Sequence, residues 1–473
     1  MNAFEVLHMK EYEALVIGAG QGGIPLALKL ADLGWRVALI EREYVGGSCI
    51  NYGCTPTKTM MAHARVAHVV RRAAEFGLDV GEVTIDLPRI VARKRRIVQA
   101  WRKDREKRVA AQKGLDLYRA HARFTGPTTV LADGVELASE RIFIDTGTRP
   151  HVPSIRGIDE IDVLTNRTIM DLDEIPSHLL VLGGSYVGLE FGQMFLRFGS
   201  QVTVLEHNER IIAHEDPEVS EAVHAFLADE GMGFHLGATA RSVRRTGNGI
   251  ALALTTIGGA PLEVTGTHLL AASGRMPNTD DMGLDQAGVE TDSQGFIRVN
   301  ERLETSVHGI WAIGDVKGGP AFTHISYDDH LVIYDNLIGE GGRTTDGRLV
   351  PYALFTDPEL GRVGMSERQA REAGYRLKTG RIPMAEVARA LERDETVGFM
   401  KVVIDADTDR VLGASVLAPE GGEIVQIFMT LMMANAPWTL LKRAIYIHPT
   451  LAEGLFGLME SVAEADGQKP ALA

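Results

Sequence analysis

The chain of 473 residues has two cysteines, Cys49 and Cys54, and four residues separate them in the segment GGSCINYGCTPTK. A disulfide that closes so short a loop stabilises a fold little, because the entropic gain from a crosslink grows with loop length. The second thiol also precedes a plausible helix start, Thr55–Lys58, and the amino-terminal end of a helix lowers the pKa of a thiol. The spacing and the flanks therefore indicate thiol redox chemistry.

Zinc binding and two unrelated buried cysteines are the alternative interpretations of this pair. A zinc site needs further cysteines or well-spaced histidines, and a tight pair of zinc ligands usually has two intervening residues. We therefore predict no metal site and interpret Cys49 and Cys54 as a redox pair.

The pair must be positioned by larger elements, and the first of these is a nucleotide-binding unit. The segment EALVIGAGQGGIPLALKLADLGWRVALIE is typical of a buried strand, a glycine turn, a helix and a second strand. Gly18, Gly20 and Gly23 have the G-x-G-x-x-G spacing, and Glu41 lies 23 residues after the first glycine. Such a turn lets the backbone approach a pyrophosphate, and the carboxylate accepts hydrogen bonds from ribose hydroxyls.

A second segment, HLLVLGGSYVGLEFGQMFLRFGSQVTVLE, repeats this plan with Gly183, Ser185 and Gly188 in the turn and Glu206 again 23 residues after the first glycine. Ordinary turn glycines are the structural alternative, but two copies with one offset favour two dinucleotide sites. Serine at the middle position is small and can donate to phosphate. Glu206 favours NADH over NADPH because a carboxylate repels the 2′-phosphate, although Arg210 lies only four residues further on.

A third signal is the apolar strand in TSVHGIWAIGD, which ends at Gly314 and Asp315. It would place a carboxylate at the carboxyl edge of a sheet, where open α/β sheets bind ligands. The fragment IDTGTRP, residues 144–150, is typical of a strand that leaves a domain, and ASGRMPNT, residues 272–279, of one that returns. The second nucleotide unit is therefore predicted to be inserted in the first domain.

Composition limits the classes of function. The length suggests about three domains, and the sequence is 45% hydrophobic and 24% charged with 51 glycines, as in globular proteins. A net charge of −14 argues against nucleic acid or an acidic membrane as a partner, and no apolar run is long enough to span a bilayer. The amino-terminal residues lack the pattern of a signal peptide, so we expect a cytoplasmic protein.

One basic stretch, residues 92–114, carries ten lysines and arginines. Ile97, Trp101 and Val109 recur at multiples of four, which predicts one packed stripe on a helix whose other faces are solvated. We prefer this interpretation to a nucleic-acid patch.

These residues together resemble the FAD-dependent pyridine nucleotide–disulfide oxidoreductases, the class I family that includes dihydrolipoamide dehydrogenase, glutathione reductase and mercuric reductase. The resemblance covers nearly the whole chain, on the motifs GAGQGG, GGSCINYGCTPTK, GGSYVGLE, GRMPNT, WAIGD and HPTLAE. It implies an α/β fold with two Rossmann-type domains, an NAD domain inserted in an FAD domain, and a carboxy-terminal α+β dimerisation domain. The implied boundaries are 1–150 and 273–348 for the FAD domain, 151–272 for the NAD(P) domain and 349–473 for the dimerisation domain.

The resemblance also implies which residues bind FAD and NAD. The glycines of the first turn and Glu41 would bind the adenosine half of FAD, Asp315 the ribityl chain, and the stretch from Ala321 to His324 would lie near the flavin. The cofactor-binding residues implied in this way are Gly18, Gly20, Gly23, Glu41, Gly47, Ser48, Lys58, Ala122, Thr146, Gly147, Gly183, Ser185, Tyr186, Gly188, Glu206, Gly274, Arg275, Asp315, Ala321 and His324.

The catalytic residues follow from the same resemblance. Cys54 would face the isoalloxazine ring and Cys49 would be the interchange thiol that attacks substrate. Lys58 would sit beside the flavin, paired with Glu190, where a cation stabilises negative charge on the reduced ring. Tyr186 matches an aromatic residue that lies over the flavin until nicotinamide displaces it. The structural alternatives are a solvated surface lysine and a tyrosine that only packs.

The motif IHPTLAEGLFGL supplies the acid–base group. Histidine is the side chain whose ordinary pKa suits proton exchange at neutral pH. In the family this histidine, here His448, crosses the dimer interface to the partner's thiols and is oriented by a glutamate, here Glu453. A capping box that joins Thr450 and Glu453 at a helix start is the alternative account of the glutamate.

The implied activity passes electrons from NADH through FAD to the Cys49–Cys54 disulfide and then to a small disulfide, or in reverse from a dithiol or lipoyl substrate. The substrate and the direction stay open, and Tyr52 is bulkier than the valine common in relatives. Mercuric reductase is the nearest rival, but it uses a second thiol pair near the carboxyl terminus, and this chain ends in GQKPALA. The mercuric reductase branch also commonly lacks the histidine that corresponds to His448. An NADH oxidase is disfavoured because such enzymes typically work with one cysteine. The alternative that is not an enzyme is a flavoprotein redox sensor without turnover.

Overall fold

In a computed structural model, the described part of the chain is residues 9–465. Two predictions therefore rest on residues outside the described part: the absence of a signal peptide at the amino terminus and the cysteine-free GQKPALA end. Within residues 9–465, no helix combines the length and the apolar character that a membrane crossing needs.

The amino-terminal part builds the first nucleotide-binding unit and the segment with the two cysteines. Its strands β2 and β3 are four-residue apolar runs that are buried throughout, as expected for the interior of a parallel sheet. The elements are β1 (Lys10–Glu11), β2 (Ala14–Ile17), α1 (Gly23–Asp32), β3 (Val37–Ile40), α2 (Gly47–Asn51), α3 (Cys54–Arg71), α4 (Leu87–Ala111), β4 (Leu115–Tyr118), β5 (Arg123–Gly126), β6 (Thr129–Ala132), β7 (Val135–Ala138), β8 (Ile142–Ile144) and β9 (Thr148–Pro150).

The second nucleotide-binding unit follows, and then the chain returns to the first. The second unit contains β10 (Val163–Leu164), β11 (His178–Leu182), α5 (Tyr186–Phe198), β12 (Gln201–Leu205), α6 (Pro217–Asp229), β13 (Gly233–His235), β14 (Ala238–Thr246), β15 (Gly249–Thr256), β16 (Pro261–Gly266) and β17 (His268–Ala271). The returning chain contains β18 (Arg275–Pro277), α7 (Leu284–Ala287), β19 (Ile310–Ala312) and α8 (Thr323–Ile338).

The carboxy-terminal part is an antiparallel sheet with helices on it. Its elements are β20 (Tyr352–Leu354), β21 (Glu359–Gly364), α9 (Glu367–Glu372), β22 (Leu377–Pro383), α10 (Ala388–Glu392), β23 (Phe399–Asp405), β24 (Val411–Ala418), α11 (Gly421–Met433), α12 (Thr439–Lys442), α13 (Gly454–Glu460) and β25 (Ala463–Glu464).

Sheet order shows how these parts interleave. The first parallel sheet has the order β19-β8-β2-β3-β4, and the second has the order β10-β17-β11-β12-β13. Strand β19 enters the first sheet only after the whole second unit has been completed, and the β9–β18 pair joins the leaving and returning segments. The predicted α/β fold class with an inserted unit and an α+β carboxy-terminal part is confirmed, while the domain boundaries stay predictions.

The basic helix α4 differs from its prediction in one respect. Trp101 is exposed, whereas the aliphatic part of Lys94 is buried together with Val98 and Val109. The Lys94 ammonium donates to Asp171 Oδ1 at 2.8 Å. The packed stripe of α4 therefore includes Lys94, whose ammonium group bonds the carboxylate of Asp171, and it does not include Trp101.

Candidate active site

One cavity of about 1860 Å³ connects the two nucleotide-binding units with the segment that contains Cys49 and Cys54. Eighteen of the residues predicted from the sequence line it: Gly18, Gly20, Glu41, Gly47, Ser48, Cys49, Cys54, Lys58, Ala122, Thr146, Gly147, Ser185, Tyr186, Glu190, Arg275, Asp315, Ala321 and His324. Among the described residues, the predicted ones outside this lining are Gly23, Gly183, Gly188, Glu206, Gly274, His448 and Glu453.

The first glycine turn is held by contacts that only glycine permits. Gly18 has φ +111°, and a Cβ at Gly18 would lie 2.2 Å from the carbonyl oxygen of Asp145. Glu41, at the end of β3, accepts a hydrogen bond from the backbone N–H of Ala19 at 2.9 Å, and burial raises its pKa. The turn therefore brings bare backbone to the cavity directly before α1, as a pyrophosphate requires.

The second turn repeats this arrangement. Gly183 has φ +112°, and its Cβ would lie 2.4 Å from the carbonyl oxygen of Ala272. Glu206 Oε2 accepts from the backbone N–H of Gly184 at 2.6 Å, so in both copies the acidic residue bonds the residue after the first glycine. The equal spacing in the sequence thus corresponds to equal hydrogen bonding in the structure.

Asp145 is a functional candidate that sequence reasoning missed. It follows β8, and its Oδ2 accepts from the backbone N–H of Gly23 at 2.7 Å. Burial raises the pKa of this carboxyl group well above its usual range. The signal in the sequence is a single carboxylate directly after the apolar run IFI, at the sheet edge where the glycine turn lies.

Cys49 lies in the short helix α2 and Cys54 is the first residue of α3, and both are free thiols. The Cys54 sulfur is 3.3 Å from the hydroxyl oxygen of Thr323, the first residue of α8. A hydrogen bond with Cys49 lowers the pKa of Cys54 to about 6, and Thr323 and the ammonium group of Lys58 act in the same direction. The same interaction raises the pKa of Cys49, so Cys54 is the thiol that loses its proton more readily.

Lys58 lies one helical turn further along α3 and forms an ion pair. Its Nζ is 2.6 Å from Glu190 Oε2 on α5. The other oxygen of Glu190 accepts from the backbone N–H of Phe355 at 3.0 Å, and the Phe355 ring centroid is 4.4 Å from the ammonium. The carboxylate is buried while about a third of the lysine side chain is exposed at the cavity, so this pair presents a fixed positive charge to a ligand.

Asp315 and its neighbours form a polar wall of the cavity. Thr148 donates to Asp315 Oδ2 at 3.0 Å, and Arg275 Nε donates to the Thr148 hydroxyl at 2.6 Å. Thr146 lines the same wall, and its buried hydroxyl oxygen has no hydrogen-bond partner within the described part of the chain. An unpaired hydroxyl beside bare glycine backbone fits a large polar ligand that completes its hydrogen bonding.

His448 and Glu453 lie on the exposed carboxy-terminal face, outside the cavity. His448 Nδ1 is 2.8 Å from Glu453 Oε2. Glu453 N–H also donates to the Thr450 hydroxyl at 3.2 Å, but α13 begins at Gly454 with Glu453 at its N-cap. Thr450 therefore does not cap this helix, and the carboxylate of Glu453 bonds the histidine instead.

This face carries an unusual apolar surface. Ile445 and Ile447 are 100% and 79% exposed, and Leu440 and Phe456, on the contacting helices α12 and α13, are each more than half exposed. Solvated aliphatic side chains in such a group mark an interaction surface. His448 directly follows Ile447 and is itself exposed.

Metal coordination has no support in the part of the chain that the structure describes, since no three histidine, cysteine, aspartate or glutamate side chains cluster as metal ligands there.

Comparison with known proteins gives a consistent result. Residues 12–329 match the pyridine nucleotide-disulphide oxidoreductase family, and residues 350–457 match its dimerisation domain. A mercuric reductase of Lysinibacillus sphaericus is 34% identical over 95% of this chain and 82% of its own length. A dihydrolipoyl dehydrogenase of Thermus scotoductus is 36% identical over 96% of this chain and 98% of its own.

A solved structure shows the same fold. The HOCl-induced flavoprotein disulfide reductase RclA from Escherichia coli superposes with a TM-score of 0.87 at 36% identity, over 95% of this chain and 99% of that chain.

Proposed function

This chain belongs to the FAD- and pyridine nucleotide-dependent disulfide oxidoreductases, and from that membership we propose that Cys49 and Cys54 are its redox pair. The function predicted from the sequence, a flavoprotein disulfide oxidoreductase, is confirmed at the level of the family. The observation that carries the residue assignment is the Cys54 thiol, which bonds Thr323 at 3.3 Å in the cavity shared by both nucleotide motifs.

The residues on the cavity wall fit FAD. The first glycine turn and Glu41 would hold its adenosine half, and Asp315, Thr146 and the start of α8 would hold the remainder. The bound flavin would take hydride from a reduced nicotinamide and supply electrons to the neighbouring cysteine pair. Lys58, fixed by Glu190, would stabilise the negative charge that reduction adds.

The chemistry at sulfur follows from the unequal thiols. Cys49 attacks one sulfur of the substrate disulfide, which forms a mixed disulfide and releases the first substrate thiolate. The Cys54 thiolate then attacks the Cys49 sulfur, which closes the Cys49–Cys54 disulfide and releases the second thiolate. The first leaving thiolate takes the proton of the Cys49 thiol and the second takes a proton from solvent, and the two electrons that the pair loses are those the substrate gains. In the reverse direction the same steps oxidise a dithiol.

We assign the proton transfer to His448 of the partner subunit. The matched dimerisation domain supports homodimer formation, and His448 lies with Glu453 on the apolar face that such a dimer would bury. Neutral imidazole can accept the proton of the attacking thiol and return it to the leaving thiolate.

The substrate we propose is a small disulfide, or a dithiol such as a lipoyl group in the reverse direction. Mercuric reduction is disfavoured because the sequence has no cysteine pair besides Cys49 and Cys54. A panel of disulfides, dihydrolipoamide and Hg²⁺ with NADH and NADPH tests this proposal. Turnover of a disulfide or dithiol supports it, whereas reduction by NADH without turnover of any of these would indicate a sensor. The cytoplasmic location stays a prediction.

NADH is the nicotinamide that we propose. Glu206 is buried at the end of β12 and holds Gly184 N–H, so its charge is fixed where an adenosine ribose would bind. We expect Glu206→Gln, which keeps an oxygen acceptor, to raise kcat/KM for NADPH relative to NADH about tenfold because a 2′-phosphate is no longer repelled, an effect of roughly 1.4 kcal/mol. Steady-state kinetics with both nucleotides measures the ratio. An unchanged ratio would show that the charge does not select the cofactor.

Thr323 gives a second expected result. We expect Thr323→Val to raise the pKa of Cys54 by about one to two units, since a hydrogen bond to a charged acceptor contributes about 1.5–3 kcal/mol. A pH titration of the long-wavelength absorption that a thiolate gives beside bound flavin measures this pKa. Thr323→Ser keeps the hydroxyl and is the matched control. If the valine and serine variants titrated with the same pKa, the hydroxyl group of Thr323 would not stabilise the Cys54 thiolate.

A further inference from the structure

Tyr186, at the first position of α5, closes one side of the cavity as part of a group of four rings that we call the aromatic box: Tyr186, His214, Phe322 and Tyr352. Ring centroids lie 5.2 Å apart for Tyr186 and His214, and 5.7 Å apart for Tyr186 and Tyr352. Phe322 stacks on Tyr352 at 5.5 Å with an interplanar angle of 8°. The hydroxyl group of Tyr186 hydrogen-bonds His214 Nε2.

Within the aromatic box, His214 is held by contacts of the turn that carries it. The backbone N–H of Ile212 donates to the carbonyl of Gly184 in the second glycine turn at 2.8 Å, and Glu215 N–H donates to the Ile212 carbonyl at 2.9 Å. Ile212 adopts φ +38°, which is strained for a β-branched residue, and its side chain is buried. The turn that presents His214 is therefore fixed to the dinucleotide motif itself.

The next residue fixes the same turn to the carboxy-terminal sheet. Glu215 is buried, accepts from the Tyr352 hydroxyl at 2.6 Å, and lies 2.7 Å from Arg362 Nε on β21. Asp216 accepts from the backbone N–H of Glu367 at 2.9 Å. Because the turn is bonded on both sides, the backbone that carries His214 is held in place. The imidazole is about half exposed at the cavity and keeps its contact with the Tyr186 hydroxyl.

We propose that His214 is a positioning residue that latches Tyr186 over the nicotinamide end of the cavity, so that a nicotinamide dinucleotide must break the tyrosine–histidine bond to enter. This inference rests on the proposed function, in which Tyr186 lies where nicotinamide binds. The fixed histidine holds the closed position, and Tyr352 and Phe322 pack against the ring it holds. We call the state in which this bond is broken the open state. For a ligand that binds only the open state, the apparent affinity is the intrinsic affinity multiplied by the fraction of molecules that are open.

The latch predicts a specific pattern of binding. We expect His214→Phe and Tyr186→Phe each to lower the dissociation constant of NAD⁺ for the oxidised holoenzyme about two- to tenfold, which is the range expected for loss of one hydrogen bond. The double variant should lower it no further, because either change alone removes the bond. Calorimetric titration with NAD⁺ measures all four proteins without turnover.

Kinetics separates positioning from a general structural effect. In rapid mixing of His214→Phe with NADH, the concentration for half-maximal flavin reduction should fall while the limiting rate changes less than about twofold. An added dithiol reduces the flavin through the cysteine pair, and this rate should be unchanged in His214→Phe. Tyr327→Phe and His308→Phe remove the same groups from exposed positions outside the cavity and are the matched controls.

The latch would be overturned if the effects of the single changes multiplied in the double variant, or if either single variant bound NAD⁺ like the controls or more weakly. Failure of the proposed function has a different signature: wild-type holoenzyme would then not be reduced by NADH, whereas the NAD⁺ titrations would still report the tyrosine–histidine bond.

Discussion

The Cys49→Ser variant is expected to lose disulfide turnover by about three orders of magnitude or more while NADH still reduces the bound flavin, because serine cannot form the mixed disulfide. The remaining Cys54 thiolate should then give a long-wavelength absorption with the flavin. Anaerobic titration with NADH and a disulfide assay on the same preparation measure both properties. Full disulfide reductase activity in this variant would show that the nucleophile is assigned to the wrong residue.

Cys54→Ser is the matched control, since it removes the other sulfur without changing the size of the side chain. It should also lose turnover, but without the thiolate absorption. In the reduced wild-type protein, the pKa of Cys54 near 6 sets the pH range of that absorption. The thiolate is the deprotonated form, so the band should be full well above pH 6 and should disappear as the pH falls through about 6. A band that persisted to pH 4 would place the thiolate elsewhere.

The second large effect is expected for His448→Ala. Removal of a general acid–base group should slow disulfide turnover about 10²- to 10⁴-fold, while the rate of flavin reduction by NADH stays unchanged. Glu453→Gln keeps the size of the orienting side chain and should cost less, because the imidazole itself remains. Stopped-flow reduction and steady-state turnover separate the two half-reactions. Equal slowing of both would indicate a structural defect.

Complementation between chains tests whether the site is shared. In a dimer of one Cys49→Ser chain and one His448→Ala chain, one site carries both defects and the other carries neither. Random mixing of two such inactive homodimers should therefore restore about a quarter of the wild-type activity, since half of the dimers are mixed and each has one intact site. Without any recovery after subunit exchange, both groups would belong to one chain.

The sequence was most informative where the geometry is local. The glycine spacing and the acidic residue 23 positions later reflect a strand–turn–helix–strand unit, and both copies place the carboxylate on the N–H after the first glycine. The cysteine pair, the proline-containing helix start of α3 and the family motifs likewise depend on neighbours along the chain. These features follow from backbone conformation, which short patterns encode.

One contact between distant segments, the Lys58–Glu190 ion pair, was predicted from the family resemblance, and others were not. Thr323 reaches Cys54 across 269 positions, and Asp145 reaches Gly23 across 122. His214 had no motif of its own, and its role depends on Tyr352, which lies in the carboxy-terminal sheet. The packed stripe on α4 was wrong at Trp101 because a stripe of apolar residues predicts burial only if another element covers it.

The order of residues thus determined the chemistry available to this protein: two thiols of close spacing, two dinucleotide turns and one histidine motif on a chain of α/β type. Tertiary structure decided which groups act together, because thiolate stabilisation, a fixed lysine charge and the aromatic box need side chains from separate segments within a few ångströms. It also put His448 on an exposed apolar face rather than beside the cysteines. Periodicity and spacing report a residue's neighbours along the chain, whereas the packing of sheets and helices determines its neighbours in space.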